Sequence, residues 1–184
     1  MDHIHDGNVC HCQSANPSVV ETMDELDFTR GIWISAVNGL LDEVTQMLAE
    51  GTDPNATDSF GYTALHYAAR NGHYAVCELL LQRGANPDIK TKSGGITSLH
   101  RACYQGHLKI VQILLEYKAD PLASDSDGKI PLHKAAENGQ VEIVKLLIDQ
   151  EGKAVSVADN KGRLPLDCVS SNHPELRELL QSRR

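Results

Sequence analysis

Three histidines, His66, His100 and His133, stand 34 and 33 residues apart in this chain of 184 residues. Imidazole can move protons near neutral pH and ligate zinc, so their spacing decides what chemistry is open to them. Each lies in a recurring hexapeptide: Thr-Ala-Leu-His-Tyr-Ala from Thr63 to Ala68, Thr-Ser-Leu-His-Arg-Ala from Thr97 to Ala102, and Ile-Pro-Leu-His-Lys-Ala from Ile130 to Ala135. A fixed period of this size is the mark of stacked supersecondary units. Equivalent residues then sit about a helix-packing distance of 8–10 Å apart, too far for two imidazoles to share one ion at ~2 Å. His73 and His107 recur as well, each after a glycine, and no Ser or Cys accompanies them in a nucleophile elbow. No glycine-rich phosphate loop is present. The array is expected to hold no catalytic residues and no cofactor.

A second constellation lies near the N-terminus, where His3, His5, Cys10, His11 and Cys12 place five soft ligands within ten residues. Thiolates with imidazoles suit zinc, but the spacing lacks paired knuckles and almost no apolar residues are available to fold around an ion. The expectation is a tail that takes up metal only adventitiously. Residues 1–25 as a whole are polar, acidic and poor in hydrophobic side chains, so they are expected to lie outside the fold.

Two families of glycine set out the elements that position these residues. Gly61, Gly95, Gly128 and Gly162 precede the hexapeptide register, and Gly39, Gly72, Gly106 and Gly139 follow it. After the second set come amphipathic stretches such as Leu108, Val111, Leu114 and Leu115, whose i, i+3, i+6, i+7 spacing makes one helical stripe. A shorter helix, Ser98 to Tyr104, precedes this one; it carries Leu99, Ala102 and Cys103, and its small residues allow close approach of neighbouring helices. Gly51-Thr52-Asp53-Pro54, Gly84-Ala85-Asn86-Pro87 and Lys118-Ala119-Asp120-Pro121 end the second helices.

The chain thus resembles the ankyrin repeat family, whose hallmark is Thr-Pro-Leu-His-x-Ala in a unit of about 33 residues. The resemblance implies an all-α solenoid of helix–turn–helix units with hairpin-like loops, and partners held along the concave side. Five units are expected over residues 26–184: an N-cap repeat at 26–60, full repeats at 61–94, 95–127 and 128–161, and a C-cap repeat at 162–184. Trp33 falls in the register of His66, and Asp167 takes the histidine place in the last unit. The resemblance also implies that His66, His100 and His133 are structural, each bonding locally to the motif threonine and the adjoining loop. Ile130 removes that hydroxyl from the fourth unit.

Net charge is −8, of which −5 falls in the first 30 residues, where six acids face Arg30 alone. Neither part carries the basic footprint of nucleic-acid binding or a cluster suited to an anionic membrane. No apolar run is long enough to span a membrane and no leader is evident, so an intracellular, cytoplasmic or nuclear, protein is expected. Cys77, Cys103 and Cys168 align with small apolar residues and are expected to be buried and reduced. Capped ends favour a monomer.

A protein partner is the expected ligand, and residues that differ between matched positions are the candidates to touch it. The loop tips offer Asp58, Ser59, Phe60 and Tyr62; Lys92, Ser93 and Ile96; Asp125, Ser126, Asp127 and Lys129; and Asp159, Asn160, Lys161 and Arg163. The short helices offer Tyr67, Arg70 and Asn71; Arg101, Tyr104 and Gln105; and Lys134, Glu137 and Asn138. Aromatic and guanidinium groups are enriched in interface hot spots, which favours Phe60, Tyr62, Tyr67, Tyr104, Arg70 and Arg101. Family analogy offers two alternatives to an adaptor: a substrate-recruiting component in protein ubiquitination, or a substrate of an asparaginyl hydroxylase at Asn55.

Overall fold

The computed structural model describes residues 31–183. Helices α1 (Ile32–Asn38) and α2 (Leu41–Ala49) form the first unit, and α3 (Ala64–Asn71) with α4 (Tyr74–Gln82) the second. Helices α5 (Ser98–Gln105) and α6 (Leu108–Glu116) form the third, and α7 (Pro131–Glu137) with α8 (Val141–Gln150) the fourth. The fifth has a single 3₁₀ turn, Pro165–Cys168, before α9 (Pro174–Ser182). Pro174 opens α9 at a position where its missing N–H costs nothing. The N-cap repeat's first residues, the polar tail and the ligands His3, His5, Cys10, His11 and Cys12 lie outside the described residues.

Within a unit the two helices are antiparallel and joined by a left-handed glycine. At Gly72 φ is +83°, and a Cβ would also come within 2.8 Å of the His107 ring of the next unit. Glycine is required there both by backbone geometry and by the neighbour that seats on it. Leu65, Leu99 and Leu132 of the short helices and Leu80, Leu114 and Leu147 of the long ones form a continuous buried core through the stack. Ala64, Ala68, Ala102, Cys103, Ala135 and Ala136 are fully buried between the short helices, which therefore pack more extensively on one another than the long helices do. That difference curves the array, with the short helices on the inner, concave side.

The loops between units run as turns. Among the described residues the β pairing consists of one isolated antiparallel bridge, Thr57 with Thr63. The fourth unit lacks the Gly-x-x-Pro ending, and a 3₁₀ turn, Gly152–Ser156, takes its place. Cys77 and Cys103 are buried, with burial pushing the Cys77 thiol up to about 12, whereas Cys168 is only half-buried.

Lys118 stands where the first two units use Gly51 and Gly84, and it adopts φ +65°. A left-handed lysine carries a Cβ–carbonyl clash worth roughly 1–2 kcal/mol, while glycine costs roughly 0.5–1 kcal/mol in chain entropy. Lys118→Gly is accordingly expected to stabilise the protein by up to ~1 kcal/mol. Urea unfolding at pH 7 measures it; a lower midpoint would mean that the exposed lysine side chain contributes more than its backbone costs.

Candidate protein-binding surface

The binding surface begins with what holds it in shape. Thr63 caps α3: its backbone N–H donates to His66 Nδ1 at 3.1 Å, and its hydroxyl lies 2.9 Å from the same nitrogen. His66 Nε2 lies 2.9 Å from the carbonyl of Ile96, in the loop of the next unit. An acceptor at Nδ1 and a donor at Nε2 define one neutral tautomer, and a second proton would have to displace the Thr63 N–H. The same arrangement recurs at His100, from Thr97 to the Lys129 carbonyl at 3.0 Å, and at His133, from Ile130 to the Arg163 carbonyl at 3.1 Å. Burial lowers all three pKa values, to about 4 for His66 and His100. The imidazoles are buried and hydrogen-bonded on both sides, and they reach beyond their own unit: each one bonds the loop that follows. In the first unit Trp33 makes a shorter-range contact, its indole N–H donating to the Ala56 carbonyl of the same unit at 3.1 Å.

Loop aspartates supply the second half of the scaffold, which the reading of loop tips as open surface missed. Asp58 Oδ1 accepts the N–H groups of Phe60 and Tyr62, Asp125 Oδ1 those of Asp127 and Lys129, and Asp159 Oδ1 those of Lys161 and Arg163. All three are buried. Burial alone would raise the Asp125 pKa, but Lys134 and the backbone N–H of Lys129 more than offset it. For Asp159 the N–H and guanidinium of Arg163 likewise prevail, leaving its pKa at about 2. The signal was available: an aspartate three residues before Gly61, Gly128 and Gly162 is an Asx-turn pattern. Thr91 replaces it in the loop between the second and third units, its hydroxyl accepting the Ile96 N–H.

The candidate contact residues divide accordingly. Tyr67 donates its hydroxyl to Asp58 Oδ2 at 2.6 Å, and burial, then Asp58, raises its pKa. Arg101 bonds the Tyr62 hydroxyl at 2.5 Å and lies 5.3 Å from that ring's centroid, while Tyr62 and Tyr67 are 5.4 Å apart. Lys134 pairs with Asp125 at 2.7 Å, and Lys129 pairs with Glu137. These side chains brace the concave wall. Phe60 at 66% and Tyr104 at 47% exposure present open rings, and Arg70 and Gln105 on the short helices are exposed too. Asn71 reaches back to the Val37 carbonyl and Lys92 to that of Ser59. A recess of about 110 Å³ opens among Ile96, His100, Arg101, Tyr104 and Lys134. Asn55 is committed to the neighbouring turn, donating to the Gly84 carbonyl and accepting the Asn86 N–H. Among the described residues no group of three His, Cys, Asp or Glu is placed to hold a metal, and no helix is long and apolar enough to cross a membrane.

Paired helices, the imidazole ladder and the turn loops define an ankyrin array, and the sequence model of ankyrin repeats matches residues 32–125 and 120–183; the chain belongs to the ankyrin repeat family. It is 52% identical over 86 residues to ankyrin repeat domain-containing protein 39 of Homo sapiens, a match covering 47% of each chain. The Bos taurus protein of that name is 56% identical over 70 residues, 38% of each chain. GA-binding protein subunit beta-2 of Mus musculus is 39% identical over 70 residues, which is 38% of this chain and 17% of that one. The matched region spans about half or less of the length of these relatives. Membership of this family implies a protein–protein interaction module.

Proposed function

We propose that the protein is an adaptor without catalysis of its own, gripping a protein partner along the concave side of its second and third units. The observation that carries this is the exposure of Phe60 and Tyr104 on a wall that also presents Arg70. Interface hot spots are enriched in aromatic and guanidinium groups. The beta-2 relative, named as a subunit of GA-binding protein, supports the reading through its place in an assembly.

Tyr67 and Arg101 are poor probes because they also hold the wall. The triple variant Phe60→Ala, Arg70→Ala, Tyr104→Ala removes open groups only, and its helical circular dichroism is expected to match the parent. Losing hot spots of ~2 kcal/mol or more each weakens binding by at least ~30-fold, enough to deplete true partners in quantitative affinity purification. An unchanged partner set would remove this surface as the site.

A further inference from the structure

The loops that lead into the short helices and the final 3₁₀ turn share one backbone closure. The N–H groups of Asp58, Thr91, Asp125 and Asp159 donate to the carbonyls of Tyr62, Ile96, Lys129 and Arg163 in turn, so the first four residues are equivalent to one another, and likewise the second four. Oδ2 of each aspartate takes a side-chain partner: the Tyr67 hydroxyl at Asp58, the Lys134 ammonium at Asp125 and the Arg163 guanidinium at Asp159. Tyr67, Arg101 and Lys134 stand in one register, directly after the motif histidines. Thr91 therefore removes from α5 the carboxylate that α3 and α7 each have, and Arg101 is left without one. One of its N–H groups bonds the Tyr62 hydroxyl, and its buried Nε meets no acceptor among the described residues.

A second departure falls at the same place. Tyr62, Lys129 and Arg163 are long side chains with polar tips, and all three tips are bonded, to Arg101, Glu137 and Asp159. Ile96 in that register is shorter and apolar, and the recess of about 110 Å³ opens there, lined also by His100, Arg101, Tyr104 and Lys134. No carboxylate lines it. Its volume is several times the ~30 Å³ share of one water, room for the carboxymethyl end of a side chain.

We propose that this recess seats the carboxylate of an Asp or Glu side chain of the protein partner, which supplies to Arg101 from outside what the loop aspartates supply to Tyr67 and Lys134 from within. The seat presupposes that the concave wall is the binding face. A planar guanidinium matches a carboxylate through parallel N–H bonds, and the half-exposed Tyr104 ring offers apolar cover to the stem. Charge selects a carboxylate over a phosphoryl group. Lys134 is already matched by Asp125, so Arg101 is the one cation of the recess lacking a counter-charge. A carboxylate balances it, whereas a phosphoryl group at about −1.5 to −2 leaves charge over.

Peptides selected on the full chain from a random phage-displayed library test this. They are expected to share one Asp or Glu whose replacement by Gln weakens binding at least ~10-fold. Thr91→Asp restores the loop aspartate at a position as buried as Asp58, Asp125 and Asp159. It is expected to weaken the acidic peptide by a similar factor while leaving its Gln analogue unchanged. The Gln comparison uses the unaltered protein, so it stands even if Thr91→Asp folds poorly. Peptides without a shared acid, an acid replaced by Gln without loss, full binding of the acidic peptide by folded Thr91→Asp, or tighter binding with phosphoserine at the acid's position would each overturn the carboxylate seat. The triple variant Phe60→Ala, Arg70→Ala, Tyr104→Ala separates the two readings. Peptides that it no longer binds, but that are indifferent to Gln and to Thr91→Asp, would overturn the seat and keep the wall; peptides that it binds in full would overturn both.

Discussion

Lowering the pH from 7 to 5 is expected to destabilise the protein by about 4 kcal/mol through His66 and His100 alone. Both are buried and neutral, with pKa values of about 4 in the folded chain, against about 6.5 when unfolded. The unfolded state therefore binds more protons throughout the window from 6.5 down to 4. Stability is fully present above that window and falls as pH falls through it, by about 1.36 kcal/mol per unit per histidine at the steepest. His133, lowered in the same direction, adds to the loss. The geometry explains why no relaxation rescues them: protonation at Nδ1 sets an N–H against the N–H of Thr63 or Thr97. Urea titrations at pH 7, 6 and 5 measure this directly. Equal unfolding free energies at pH 7 and 5 would show that the imidazoles are not held as neutral acceptors.

A comparable loss, about 2–5 kcal/mol, is expected from Leu99→Ala or Leu132→Ala. Both side chains are 0% exposed, on helices that pack on short helices of neighbouring units, so truncation leaves a cavity shared across an interface. In a quasi-one-dimensional array the penalty falls on nearest-neighbour coupling. For Leu99 the weakened interfaces lie in the middle of the stack, leaving on either side too few units for independent stability. Thermal and urea unfolding report the shift; a melting curve unaltered by either substitution would reject the repeat register.

What the sequence made legible was what repeats locally. The glycines at 72 and 106 and the stripe from Leu108 to Leu115 follow from backbone and period rules, and the helices fall where those rules place them. The place of Trp33 was legible from register alone, but its indole bonds the Ala56 carbonyl within its own unit rather than reaching into the next. Contacts between a loop and a helix were not legible. Tyr67 with Asp58, Arg101 with Tyr62, and Lys134 with Asp125 join residues at different, non-identical positions of their units. Variation between copies therefore looked like open surface, whereas part of it records three different chemical solutions to bracing the same wall. Phe60, Arg70 and Tyr104 remain open, and exposure rather than variability is what separates them.

The imidazole bonds also give the stack a direction. Each ring accepts the N–H of the residue that caps its own helix and donates a hydrogen bond forward to a carbonyl roughly thirty residues on: His66 to Ile96, His100 to Lys129, His133 to Arg163. A lesion and its symptom are consequently one unit apart. A change at His100 should speed amide exchange around Lys129 more than in the loop before Thr97, so the contour that a partner meets in one unit is governed from behind by its predecessor.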